Sequence, residues 1–230
     1  VTVTAQAYTL SFYGTGTITK SGAATGALVG TGVAQRVTQT FSPTAGTLTL
    51  TVTGSVTNAQ IEAGSFVTSY ILTTAAAVIR LHDVCTIPTG SWYNATQGTF
   101  LVEFILIGKE ATFYPRILGD AATSNAFLYL DATQHLGAFD GGTVSATANT
   151  MTVGVVTRGA SVTPTGAGTS SYALNGGPVA SHAMTTGMGS SLVIKLMGDT
   201  NDVDGAFGYV RRIQYWPRAL SNTELQQVTT

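Results

Sequence analysis

The chain has 230 residues, room for one large β domain or two smaller ones, and only 9% of them are charged where roughly 25% is usual. A net charge of −1 excludes electrostatic steering to nucleic acid or anionic lipid, and no unbroken apolar run of ~18 residues offers a spanning helix. Neither a nucleic-acid partner nor membrane insertion is therefore expected.

The first 75 or so residues read as a succession of short strands. "VTVTAQAY" already alternates, so the sequence is expected to begin inside a domain, and no signal-peptide pattern opens it. "AYTLSFYG" sets Tyr8, Leu10 and Phe12 against Thr9, Ser11 and Tyr13. "GTITKSG", "TGALVGTG", "QRVTQTFSPTAG", "TLTLTVTG" and "VTNAQIEAG" follow, with turn signals roughly every eight to twelve residues, the spacing of a sandwich or barrel. Lys20, Arg36 and Glu62 are the charges of this part. Alternation fades in "SFVTSYILTTAAAVIRLHDV", and a domain boundary is expected near 76–82, giving domains 1–78 and 79–230 joined by a short packed crossover.

Cys85, in "DVCTIP", is the one cysteine. It excludes a disulfide within the chain and a cysteine-rich metal site, and its apolar flanks predict a small buried hydrophobe. "GSWYN" places Trp92, Tyr93 and Asn94 in a loop setting, where binding residues concentrate. Sugar recognition needs an exposed aromatic face beside amide and carboxylate groups, so these three and Tyr114 in "TFYPR" are the candidate ligand-binding residues. Asn94-Ala95-Thr96 also fits the glycosylation pattern. "GTFLVEFILIG" is apolar on both faces apart from Glu103 and predicts a central strand buried on both sides. "RILGD", "NAFLYLDAT", "QHLGAFDGG", "NTMTVGVVTRG", "SSYALNGGPVAS" and "SSLVIKLMGD" continue the strand pattern. "LNGGPV" carries the Asn-Gly hairpin signal, and "FDGG" is a second such turn.

"GDTNDVDGAFG" gathers Asp199, Asp202 and Asp204 around Asn201. Hard oxygen ligands of this kind suit Ca²⁺, but an EF-hand register fails, and a polar turn bonded to its own backbone is the preferred alternative. Ca²⁺ at these three aspartates is thus the single cofactor considered. In "FGYVRRIQYW" strict alternation breaks near Arg211 and Arg212, and a bulge there would place Val210, Ile213 and Tyr215 on one buried face. Pro217 stops the ladder. Ser221 and Glu224 form a capping box, with Leu220 and Leu225 spaced as a hydrophobic staple. A short terminal helix is therefore predicted, docked on the sandwich because it is too short to stand alone, with Tyr215 and Trp216 expected beneath it.

At this point the sequence resembles known families. The closing "GYVRRIQYWPRALSNTEL" looks like the end of concanavalin A-like sandwiches of the laminin-G and pentraxin kind, and "YALNGGPV" and "GTFLVEF" look like that family's hairpin and early core strand. The likeness covers about residues 85–230. The family often has acids where Arg211 and Arg212 stand. Earlier, "AYTLSFYGTGTITKSGAA" through "NAQIEAGSFVTSYILT" resembles the last two-thirds of a carbohydrate-binding jelly roll that recurs in phage tail and head appendages. The expected fold is all-β: a partial jelly roll, then a concanavalin A-like β-sandwich with a short C-terminal helix. The jelly roll's opening strands have no counterpart here. Either the sequence starts within that domain or another chain supplies them, and unpaired edges favour a homo-oligomer, by resemblance a trimer.

The resemblance implies a phage virion surface protein, in a tail fibre, head fibre or spike. It would bind host cell-surface polysaccharide and contact other virion proteins. A purely structural decoration or fibre role without a ligand is the alternative. Catalysis is not expected. Glycoside hydrolysis needs two carboxylates at a set separation, sandwich glucanases carry them as Glu-x-Asp-x-x-Glu, and Glu103 stands alone on its strand. His82, His135 and His182 are scattered without a Gly-x-Ser-x-Gly elbow, and read as surface or hydrogen-bonded histidines.

Overall fold

The computed structural model describes the chain except for residues 75, 79–83, 95, 110–114, 121–125, 132, 140–145, 165–166, 185–192 and 199–205. The chain divides into two compact units, Val1–Leu81 and His82–Thr230. Both are built of antiparallel strands, and among the described residues no helix is long and apolar enough to cross a membrane.

In the first unit, β1 (Thr2–Val3), β6 (Gly46–Thr53), β3 (Thr17–Gly22) and β4 (Gly26–Val29) form one sheet in that order. β5 (Gly32–Phe41), β2 (Tyr8–Gly14) and β7 (Val56–Ala63) form the other. Period-two alternation sends Leu10, Phe12 and Ile18 into a small core, with Leu28, Val37, Leu50 and Ile61 packed on it half-buried. Lys20 shares the core-facing side of its strand with Ile18. Its Nζ donates to Gln39 Oε1 at 2.5 Å and lies 5.1 Å from the centre of the Phe41 ring, and burial lowers its pKa. On the opposite side of the three-stranded sheet, Arg36 donates to Ser11 Oγ and to the Thr68 carbonyl. Glu62 accepts from the Thr68 amide at 3.0 Å. The three charges of this part thus serve as internal fasteners, two of them holding the segment after β7 against the sheet.

The second unit is a two-layer β-sandwich. One sheet runs β13 (Ala146–Thr150), β12 (His135–Phe139), β11 (Ala126–Leu130), β10 (Arg116–Asp120), β17 (Val193–Leu196), β8 (Cys85–Pro88). The other runs β16 (Ala180–Met184), β15 (Gly168–Leu174), β14 (Val156–Pro164), β9 (Gln97–Lys109), β18 (Ala206–Trp216). Between them lies a core of Phe100, Val102, Phe104 and Leu106 from β9 against Leu118, Leu128, Leu130, Leu136 and Ile194. The hairpin after β15 has Asn175 at φ 47° and Gly176 at φ 70°, the left-handed pair that the Asn-Gly dipeptide tolerates, although five residues rather than two join β15 to β16. The "FDGG" turn lies outside the described residues beyond Phe139.

β9 is interior to its sheet as expected, but it is not buried along its whole outer side. Leu101 is covered, Ile105 is half-buried and Ile107 is 38% exposed. The reason is the reach of α1 (Asn222–Val228). That helix and Leu220 cover Leu101, Ala160, Val162 and Ala173 and stop there. The next outward row is charged: Glu103 accepts from Arg158 at 2.8 Å and lies 3.6 Å from Arg211. Beyond it Tyr209 registers beside Ile105 and is 63% exposed.

The end of the chain follows its sequence signals. Val210 pairs with Phe104 and Arg212 with Glu103, so Arg211 is the extra residue of a bulge, and Val210, Ile213 and Tyr215 all pack on the core. β18 ends at Trp216, before Pro217. Ser221 caps α1 with both halves of the capping box present, and Leu220 and Leu225 meet in one cluster as a staple would have them.

A further expectation fails at β8. Cys85 is exposed. It starts a four-residue edge strand on which Ile87 alone packs against the core, so its apolar neighbours in sequence are not its neighbours in space.

Candidate functional site

The loop between β8 and β9 turns tightly where the Tyr93 amide donates to the Gly90 carbonyl at 3.0 Å, which puts Ser91 and Trp92 at the tip. Asn94 fastens the loop's far side to the end of β18. Its amide donates to the Tyr215 hydroxyl at 2.9 Å and its Nδ2 to the Pro217 carbonyl at 2.9 Å. Its Oδ1 accepts from the Thr96 amide and hydroxyl at 2.9 and 2.8 Å. Both side-chain atoms of Asn94 are therefore engaged within the protein.

Under the tip, four rings from three segments climb from core to surface. Phe100, fully buried on β9, has its ring centre 4.7 Å from that of Tyr215. Tyr93 stacks on Tyr215 at 5.6 Å with planes 29° apart. Trp92 stands edge-on to both, 5.2 Å from Tyr215 at 84° and 5.8 Å from Tyr93 at 74°. Edge-to-face contacts of this kind orient a ring as well as holding it. Trp92 remains 42% exposed, so a fixed indole is presented to solvent. Neither its N–H nor the Ser91 hydroxyl has a protein partner among the described residues.

Gly98 makes the stack possible. It shares the core-facing side of β9 with Phe100, and a Cβ there would stand 2.5 Å from the Tyr215 ring and hydroxyl. Burial first, and then the Tyr215 and Asp120 charges, push the Tyr93 hydroxyl well above the usual tyrosine range. Burial raises that of Tyr215 against the opposing bond from Asn94. Both phenols thus stay neutral in physiological conditions and act through hydrogen bonds and ring faces.

Three of the four candidate ligand residues, Trp92, Tyr93 and Asn94, come together here. Tyr114 lies outside the described residues, as do Asp199, Asp202 and Asp204. Among the described residues no group of three or more His, Cys, Asp or Glu could hold a metal ion. Tyr215 belongs to the ring stack rather than beneath the terminal helix. It neighbours Trp216 on a strand, so the two point to opposite faces, and Trp216 packs with Leu101 and Leu225. That parity was available in the sequence and identifies Tyr215 as the missed member; Gly98 and Asp120 become visible only through packing. Of the histidines, His135 lies beside Asp131 at 3.3 Å and bonds Thr133 at 2.7 Å in a hairpin turn, while His82 is outside the described residues.

The sequence matches no protein-family model and no curated protein. Similar solved structures include the Limulus polyphemus SAP-like pentraxin, at 14% identity and TM-score 0.45 over 58% of this chain and 70% of that one. The CBM40 of the Ruminococcus gnavus IT-sialidase, solved with α2,3-sialyllactose, has 17% identity and TM-score 0.46 over 64% of this chain and 96% of that one. The Trypanosoma rangeli sialidase has 14% identity and TM-score 0.46 over 59% of this chain but only 23% of its own.

Proposed function

We propose that the second unit is a non-catalytic carbohydrate-binding module whose contact surface is the Trp92 indole. The observation that carries this is an indole 42% exposed yet held edge-on by two tyrosines that are themselves anchored on a core phenylalanine. A sugar ring has an apolar C–H face and a rim of hydroxyls, so a fixed aromatic plane with free donors at its edge matches both. Preorganisation matters because an ordered ring costs little further side-chain entropy on binding. In this reading Trp92 touches ligand, while Tyr93, Tyr215 and Asn94 hold it in place. The closing segment's likeness to lectin-like sandwiches agrees with a binding role. The wider proposal, a homotrimeric phage appendage on the virion surface that recognises host polysaccharide, rests on the resemblance of residues 7–73.

A glycan array probed with the full chain and with Trp92→Ala tests the reading. The expected result is a specific signal that falls about tenfold or more in the variant, since buried tryptophan contacts commonly carry 2 kcal/mol or more. The variant should melt like the parent, the ring being at the surface. Absence of binding by the parent to every glycan would overturn the proposal and favour a structural role.

A further inference from the structure

Resting on the carbohydrate-binding reading, we infer that the Trp92 platform takes an uncharged pyranose and turns away sugars bearing a carboxylate. The argument is one of charge placement. An acidic sugar bound tightly needs a cation near its carboxylate, by preference the bidentate fork of an arginine. Among the described residues the arginines and lysines have other partners or lie on other faces. Arg158 and Arg211 engage Glu103 on the outward side of the five-stranded sheet, and Arg212 registers opposite Glu103 on the same strand as Arg211. Arg218 holds Glu224 through both terminal nitrogens, at 3.2 and 2.7 Å. Arg116 lies over the Phe139 ring, on the side of the six-stranded sheet away from the core. Lys195 shares that side, since its strand neighbours Ile194 and Leu196 are the core residues. Lys109 ends β9, nine residues along from Phe100, about 30 Å at strand rise. Lys20 and Arg36 are fasteners within the first unit, and Arg80 is outside the described residues.

Among the described residues, the carboxylate whose charge bears on the ring stack is that of Asp120. Asp120 pairs in register with the core residue Ile194, so its side chain faces the interior, where its charge is felt at the Tyr93 hydroxyl. A second carboxylate brought onto the ring stack would meet that field in a partly desolvated setting. The groups free to bond a ligand are the indole N–H and the Ser91 hydroxyl, both uncharged and suited to a sugar's hydroxyl or ring oxygens.

The test is an array on which each neutral glycan stands beside its sialylated or uronic-acid counterpart, read with the full chain and repeated at raised salt. The expected result is signal on neutral members at least about tenfold above their acidic partners, lost in Trp92→Ala and indifferent to salt. Ser91→Arg, which places a guanidinium at the tip, should raise binding to acidic members. Trp92-dependent binding that prefers acidic members, or treats both alike, would overturn this inference and leave the carbohydrate-binding reading standing. Binding to no glycan would overturn both.

Discussion

Gly98 and Tyr215 together decide whether the indole is presented at all. Gly98 leaves the space that the Tyr215 ring fills, and that ring cannot swing aside because Phe100 and Tyr93 pack on it. Gly98→Ala should therefore destabilise the second unit by about 1–3 kcal/mol, as overpacking does, and weaken sugar binding through a displaced Trp92. Chemical denaturation and titration with the best array ligand would read the two effects. Tyr215→Phe keeps the ring and removes the oxygen that accepts from the Asn94 amide. A loss of about 1 kcal/mol is expected, with weaker binding because the loop is released on that side. An unchanged affinity would show that Asn94 and Pro217 alone hold the loop. At this scale the sequence was half legible. Trp92 in a Gly-Ser-flanked turn was readable, because turn chemistry is local. The assignment of Tyr215 went astray because it was placed with its strand neighbour Trp216, although successive residues of a strand point to opposite faces, and the exposure of Cys85 because apolar flanks do not tell an edge strand from an inner one.

At the scale of elements, the terminal helix shows how far local signals reach. Cap, box, staple and bulge were all written within residues 208–225, and each has its counterpart in the structure. What the helix covers was not written there, since the row it leaves bare depends on partners in β9 and β14 far away in sequence. Leu225 is fully buried beneath it, and Leu225→Ala should cost about 2–5 kcal/mol by equilibrium unfolding. The capping box also carries a pH signature. Arg218 first, then the Ser221 amide and hydroxyl, hold the Glu224 carboxyl at about 2, below its ordinary 4.5. A depressed carboxyl stabilises the folded state in full above about 4.5, and that contribution is lost as the pH falls toward about 2. Comparing the thermal midpoints of the parent and Glu224→Gln at neutral pH and near pH 3 should show the parent losing more than the variant. Equal losses would mean the Glu224 charge contributes nothing to folding.

At the scale of the molecule, everything the proposed site uses lies within one unit: the tip loop, β9, β18, the core beneath and the helix that closes the outer face. Residues 82–230 produced alone should fold and keep the glycan preference of the full chain, since a unit with its own core can stand by itself. Loss of binding in that fragment, with its fold intact by circular dichroism, would mean the first unit contributes to recognition. The sandwich class was legible in strand spacing and turn residues. The division of strands between the two sheets was not, because alternation says which way a side chain points and never which strand lies alongside.

The pairing of β9 with β18 also bears on how the second unit comes together in time. Thr99 donates to the carbonyl of Arg218, 119 residues further on, at the same edge of the sheet that carries the ring stack. β9 is an interior strand of its layer, yet one of its two neighbours arrives only after eight other strands have been strung out between them. Closing so long a loop before its contacts reward it makes folding slow, and places this sandwich among chains that take milliseconds to seconds. Until β18 and its helix dock, β9 shows an open hydrogen-bonding edge and an uncovered Leu101. Refolding of residues 82–230 is thus a race between that late docking and edge-to-edge association, and its yield should fall steeply as protein concentration rises.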